Sequence, residues 1–178
     1  MGEKHNIVLA GFGGQGILFA GKIIALTGLI EDREVSWLPS YGPEMRGGTA
    51  NCSVCLADDP IGSPLVLEPD TLVVMNQPSL DKFVGSVAQG GTIVADSTLV
   101  QDIPEVEGVN VYRIPATEIA EKNGLKGLAN VVCVGKLFKE LAFCSPETLD
   151  KAIEKCVPAT KKEKLEQNKR AIQLGMEA

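Results

Sequence analysis

One histidine stands in the whole chain, His5, two residues before the first apolar run. A lone histidine in that place is a solvated surface residue more often than a general base, and without it no Ser/His/Asp or Cys/His set can be assembled. There is no DxD cluster or His-x-x-Glu spacing for a metal, and no Gly-x-x-x-x-Gly-Lys-Ser/Thr for nucleotide hydrolysis. A chain this poor in acid–base equipment is not built to run a reaction alone. We assign it no catalytic residue and no metal ligand.

Other shortages narrow the field further. Aromatic residues make up only 4% of the chain, so the core must be built from Val, Ile, Leu and Ala. The formal net charge is -6 and no clustered Lys/Arg face precedes the last helix, which argues against DNA or RNA as a partner. No apolar run approaches the roughly 20 residues that a membrane-spanning helix needs. The apolar stretch near the start is broken by glycines and ends in no A-x-A cleavage site, so the expectation is a soluble, cytoplasmic protein. Five cysteines form an odd, scattered set, which in a cytosolic chain reads as reduced thiols. Cys52 and Cys55 make a C-x-x-C, but on a strand side chains three apart point to opposite faces and cannot chelate one metal. No second C-x-x-C completes a four-thiolate site.

What is present is an ordinary globular balance, 44% hydrophobic and 22% charged over 178 residues, consistent with one domain spanning 1–178. Asn6 to Ala10 is a short apolar run followed by glycines, as in a buried parallel strand. Gln15 to Glu31 has helical length and composition, and its scarcity of polar side chains requires cover on most sides. Strands are expected over Glu34–Leu38, Thr49–Ala57, Thr71–Met75, Thr92–Ala95 and Val109–Ile114, with a loop of about ten residues from Pro39. Helices are expected over Ser79–Val87, through Thr117 and Glu118, then over Asn130–Phe143, Pro146–Cys156 and from about Thr160. Ser145-Pro146 reads as a cap before a first-turn proline, and Thr160 to Glu163 as a capping box. The last helix should dock by a narrow stripe of Leu165, Ile172 and Met176. The alternation gives an α/β fold: a Rossmann-like, doubly wound, mainly parallel sheet with helices on both faces and a helical C-terminal part.

Two features carry most of the functional information. Gly11-Phe12-Gly13-Gly14-Gln15-Gly16 fits G-x-G-x-x-G between a strand and a helix. Glycines there permit close backbone approach, and the helix start offers free N–H groups, so Gly11, Gly13, Gly14, Gln15 and Gly16 are candidate phosphate or cofactor contacts. The acidic residue that would take the ribose hydroxyls is missing, because the second strand ends on Leu38-Pro39-Ser40. A tight turn with no cofactor is the competing reading. The second feature is Ser40-Tyr41-Gly42-Pro43-Glu44-Met45-Arg46-Gly47-Gly48, at the carboxyl end of the second strand, where α/β proteins present functional loops. Arg46 can grip a carboxylate or phosphate, or pair internally with Glu44 and stiffen the turn. Asp96-Ser97 and Asn76-Gln77-Pro78 also fall at strand ends, where such residues usually form turns.

The glycine turn with its following Ala-Gly, the SYGPEMRGG loop, the EPDTLVVMNQ segment, Asn130-x-x-x-x-Gly135 and the closing Asn168 to Gly175 together resemble the gamma subunit of 2-oxoacid:ferredoxin oxidoreductases. The resemblance covers essentially the whole chain, and the form of the loop is closer to the 2-oxoglutarate and branched-chain types than to the indolepyruvate type. It implies an enzyme that oxidatively decarboxylates a 2-oxoacid, uses coenzyme A as co-substrate and reduces ferredoxin. It also implies thiamine diphosphate and iron–sulfur clusters on alpha and beta (and in some forms delta) partner subunits, with no cofactor held firmly by this chain. By that analogy Ser40, Tyr41, Gly42, Pro43, Glu44 and Arg46 border an interface or the substrate, and Gly11 to Gly16 form a structural turn. A free-standing dinucleotide-binding oxidoreductase or a non-catalytic nucleotide-binding module is the alternative.

Overall fold

The computed structural model describes residues 3–41 and 48–178. Strand β1 (Lys4–Phe12) leads through the glycine turn into helix α1 (Ile17–Ile30), and β2 (Glu34–Tyr41) and β3 (Thr49–Ala57) follow. Then come β4 (Thr71–Val74), α2 (Gln77–Phe83) with a short 3-10 turn, β5 (Thr92–Asp96) and β6 (Asn110–Ile114). Four helices close the chain: α3 (Ala116–Lys122), α4 (Ala129–Leu141), α5 (Pro146–Cys156) and α6 (Lys162–Glu177). The sheet runs β2-β3-β1-β4-β5-β6. β1, β4, β5 and β6 pair in parallel, while β3 is antiparallel to both of its neighbours. β2 therefore runs in the same direction as β1, one strand removed from it.

The two faces are covered unequally. On one, Ile7, Leu9, Val54, Leu56, Val73 and Val94 pack against α1, α4 and α5 and against Ala116, Ala120, Ala171 and Ile172 of α3 and α6. On the other, Val8, Ala10, Leu72, Val74 and Ile93 meet Leu80 and Phe83 of α2, Val84 of the 3-10 turn, and apolar coil residues such as Val66, Val100 and Ile103. Helices do lie on both faces, but five of the six stand on one. β2 also extends past the expected boundary, with Pro39 paired opposite Cys52. An edge strand tolerates a proline when its nitrogen faces away from the ladder.

Side chains cap two of the six helices, Asn76 before α2 and Ser145 before α5, and none of the other four. Ser145 caps α5, its hydroxyl accepting from the Thr148 N–H at 3.1 Å. The capping box expected at Thr160 does not form: α6 begins at Lys162 with Lys161 at the cap position and no side-chain cap. The expected docking stripe of α6 also differs. Met176 is 37% exposed, and the buried face is Asn168, Ala171, Ile172 and Gly175. Two glycines let α4 and α6 cross at backbone contact, for a Cβ on Gly135 would overlap the Ile172 carbonyl and one on Gly175 the Val132 carbonyl.

That crossing yields a stability prediction. Gly135→Ala forces two backbones apart rather than shifting a flexible side chain, and overpacking of this kind costs about 2–3 kcal/mol. Urea unfolding of the purified chain should show the loss, whereas Met176→Ala should change stability by less than about 1 kcal/mol.

Candidate functional site at the carboxyl end of β1

The carboxyl ends of the parallel strands come together around the glycine turn. Gly14 and Gly16 both have left-handed backbone, φ 97° and 73°, which is what glycine supplies in so tight a strand-to-helix connection. Gln15 folds back across the turn. Its Oε1 accepts from the Phe12 N–H at 2.6 Å, and its Nε2 donates to the Met75 carbonyl at 3.0 Å, joining the turn to the end of β4. From the other side, Asn130 near the start of α4 donates its Nδ2 to the Gly16 carbonyl at 2.9 Å. The Asn130 side chain fills the space a Cβ on Gly16 would need. Its Oδ1 is buried with no partner among the described residues.

The second sequence feature meets this turn directly. The Gly13 N–H donates to the Gly48 carbonyl at 2.9 Å, and Phe12 pairs with Thr49. The base of the SYGPEMRGG segment is thereby attached to the glycine turn. Ser40 and Tyr41 are the last residues of β2 rather than part of a loop, and Ser40 is exposed. Gly42, Pro43, Glu44 and Arg46 lie outside the described residues.

Two clefts flank the turn. One, of about 340 Å³, is walled by Phe12, Leu18, Phe19, Thr49 and Ala50. The other, of about 250 Å³, lies between Gln15, Met75, Leu99, Thr117 and Lys126. The missing ribose carboxylate now has a topological reason: β3 occupies the position beside β1 that β2 holds in a dinucleotide-binding sheet. Asn76 and Asp96 both order turns at strand ends. Asn76 Oδ1 accepts from the Ser79 N–H at 2.8 Å and caps α2. Asp96, fully buried, accepts from the Thr98 N–H at 3.1 Å and from the Thr117 N–H and hydroxyl at 3.2 and 2.5 Å, which fixes the start of α3. His5 is remote from all of this. It sits beside Glu3 at 3.2 Å at the other end of β1, roughly 25 Å away for a strand of this length.

The thiols are placed for packing rather than chemistry. Cys52 belongs to the core beneath α1, while Cys55 faces the opposite side of β3. No group of three or more His, Cys, Asp or Glu side chains among the described residues could hold a metal ion. Burial pushes the Cys52 and Cys144 thiols up to about 12, and raises those of Cys133, Cys55 and Cys156 as well. No described helix is long and apolar enough to cross a membrane.

An α/β domain whose glycine turn is bonded through the Gly13 N–H to the base of the β2–β3 connection, with β3 between β1 and β2, departs from the dinucleotide-binding sheet. The chain belongs to the pyruvate ferredoxin/flavodoxin oxidoreductase family, whose model matches residues 6–178. It is 41% identical over 173 residues to the ketoisovalerate oxidoreductase subunit VorA of Methanothermobacter thermautotrophicus, covering 97% of this chain and 36% of that protein. It therefore spans about a third of that relative's length. It is 40% identical over 165 residues to the 2-oxoglutarate synthase subunit KorC of Methanocaldococcus jannaschii, covering 90% of this chain and 88% of KorC. Among solved structures it is similar to the gamma subunit of a keto/oxoacid ferredoxin oxidoreductase from Geobacter sulfurreducens, with a TM-score of 0.82 and 29% identity over 97% and 96% of the two chains. These names agree with the branched-chain and 2-oxoglutarate character of the loop.

The buried thiols give a prediction with a definite sign. A thiol whose pKa is raised in the folded state favours folding fully at pH values below its unfolded pKa, about 8.5, and that stabilisation is lost as pH rises toward the folded value. The urea midpoint should therefore hold steady below about pH 8 and fall across the interval up to about 12. At pH 8, a thiol reagent should modify half-buried Cys156 well before the other four of the five cysteines, all of which become reactive in urea.

Proposed function

We propose that this chain is the gamma component of a multisubunit 2-oxoacid:ferredoxin oxidoreductase and works only within that assembly. The observation that carries the reading is the pattern of lengths among its relatives. Sequence like this chain's makes up nearly the whole of KorC and about a third of VorA, so within the family it occurs both as a separate subunit and as part of a longer one. In the reaction a 2-oxoacid loses carbon dioxide, its acyl carbon is oxidised and joined to the sulfur of coenzyme A, and two electrons pass to ferredoxin. The donors in this chain do not fit an iron–sulfur cluster, since Cys52 and Cys55 lie on opposite faces of β3. We place the clusters and thiamine diphosphate on the alpha, beta or delta companions, and the assembly in the cytoplasm.

What this chain contributes is shape. Gln15, Asn130 and the Gly13–Gly48 bond hold the glycine turn and the SYGPEMRGG segment as one unit. Ser40 to Gly48 then border the companion chains or the approach of coenzyme A, with Arg46 supplying a guanidinium for a carboxylate or phosphate. Gly11, Gly13, Gly14, Gln15 and Gly16 act first as scaffold, and a phosphate on the free amides of the turn is a secondary role. A free-standing dinucleotide enzyme is not favoured, because Gln15 lies across the turn and the place beside β1 is taken by β3.

Co-purification from the native host tests the assignment. The chain should travel with thiamine-binding and cluster-bearing polypeptides, and its omission should abolish 2-oxoacid-dependent ferredoxin reduction. A chain that runs alone, or a complex that reduces ferredoxin without it, would remove the reading. Arg46→Ala should lower the activity of the complex or loosen the association by at least about tenfold while leaving the circular dichroism of the isolated chain unchanged. Survival of both assembly and turnover would exclude the loop from that role.

A further inference from the structure

The sheet face that carries Val8 and Ala10 is divided into two halves. Toward β4 and β5 it is apolar and lies under α2. Across β3 and β2 it turns polar, because alternation and register bring Asn51 and Ser53 of β3 and Ser36 and Ser40 of β2 to the same side. Small side chains leave a recess there of about 300 Å³. Val8, Ser40, Asn51 and Ser53 form its floor, Lys82 and Phe83 of α2 one wall, and Leu65 to Leu67 of the coil before β4 the other. Ser53 is buried, and on the same face Ser36 Oγ is buried with no hydrogen-bond partner among the described residues. Apolar side chains at these positions would stabilise the fold better, since a buried hydroxyl contributes only when something bonds to it. The polar strip therefore points to a ligand.

The lining sets the chemistry of that ligand. β3 is paired along both edges, so its amides and carbonyls are taken up by the ladders and side chains alone offer polar contacts. The one charge among the described lining residues is the Lys82 ammonium, 5.0 Å from the centre of the Phe83 ring, and no described carboxylate lines the recess. Opposite, Leu65 and Leu67 are 55% and 77% exposed and offer hydrocarbon surface. We propose that the recess binds a short-chain monocarboxylate with an apolar tail. Lys82 donates to the carboxylate, Ser53 and the Asn51 amide complete its hydrogen bonds, and the tail lies against Leu65 and Phe83. A phosphate is less well matched, because the described lining has no arginine, no second cation and no open main-chain amide to share a dianion's charge. The volume, at the lower end for ligand pockets, holds only a few carbons beyond the carboxylate. None of these lining residues belongs to the two clefts at the glycine turn, and the inference stands independently of the gamma-component reading.

Two kinds of molecule share this chemistry, a simple branched acid and a branched oxoacid. The test titrates the isotope-labelled full chain with isovalerate, and separately with ketoisovalerate, at constant ionic strength. The backbone amide resonances of Asn51, Ser53 and Lys82 should shift to saturation with one common dissociation constant. Tighter binding of ketoisovalerate marks an oxoacid site, and equal or tighter binding of isovalerate a site for carboxylates in general. Lys82→Gln, at an exposed helical position, should weaken binding at least about fivefold. Ser53→Val, which fills the floor and removes its hydroxyl, should weaken it by a similar factor. Neutral isovaleramide should not saturate the same resonances. Shifts that never saturate at these three amides would overturn the proposal, as would an affinity that Lys82→Gln leaves unchanged or an amide that binds as tightly as the acid. If Ser53→Val fails to fold, Lys82→Gln and isovaleramide decide by themselves.

Discussion

β3 pairs with β1 over nine residues and with β2 over eight, and this double antiparallel ladder determines where every functional element stands. Without it, the strand after α1 would lie against β1, and the turn at Gly11 to Gly16 would face a ribose-binding strand end. With it, the connection from β2 to β3 emerges beside the glycine turn, and the Gly13–Gly48 bond seals the two together. The same insertion moves β2 to the sheet edge, leaving Trp37 and Leu38 on opposite faces at 40% and 37% exposure. One change in strand order thus turns a dinucleotide-like motif into a support for the β2–β3 connection.

That dependence explains which parts of the molecule could be read from residue order. Elements with a local signal were legible: β3 and α5 fall on their expected bounds because alternation, the Ser145 cap and Pro146 mark them within a few residues. Strand order carries no such local mark. The missing carboxylate at Leu38 to Ser40 was visible as an absence, but its cause, an intervening strand, depends on a pairing between residues far apart in the chain. The failed capping box at Thr160 and the misplaced stripe on α6 have a similar origin. Tertiary packing of Gly135 against Ile172 and of Gly175 against Val132 sets that helix, and it overrides a four-residue pattern worth about 1 kcal/mol.

The site shows the same division. Gln15 belonged to the glycine motif and could be named from it, but its two hydrogen bonds to Phe12 and Met75 required β4 to be β1's neighbour. Asn130, 114 residues from Gly16, was legible only as part of the family resemblance, with no partner assigned to it. A buried asparagine in an otherwise apolar run, Ala129 to Val134, was the available hint, because an amide placed there must find a partner or weaken the core.

These ties give the glycine motif a structural task. A phosphate-binding turn must keep its amides open and its approach clear, whereas this one is bridged by Gln15 on one side, braced by Asn130 on another and bonded to Gly48 on a third. Each bond restricts a backbone that four glycines would otherwise leave free, at an entropic cost of about 1 kcal/mol or more per residue ordered. Rigidity bought so locally is useful only if something beyond the turn depends on its position. The β2–β3 connection, bonded to the turn at Gly48, takes its position from it.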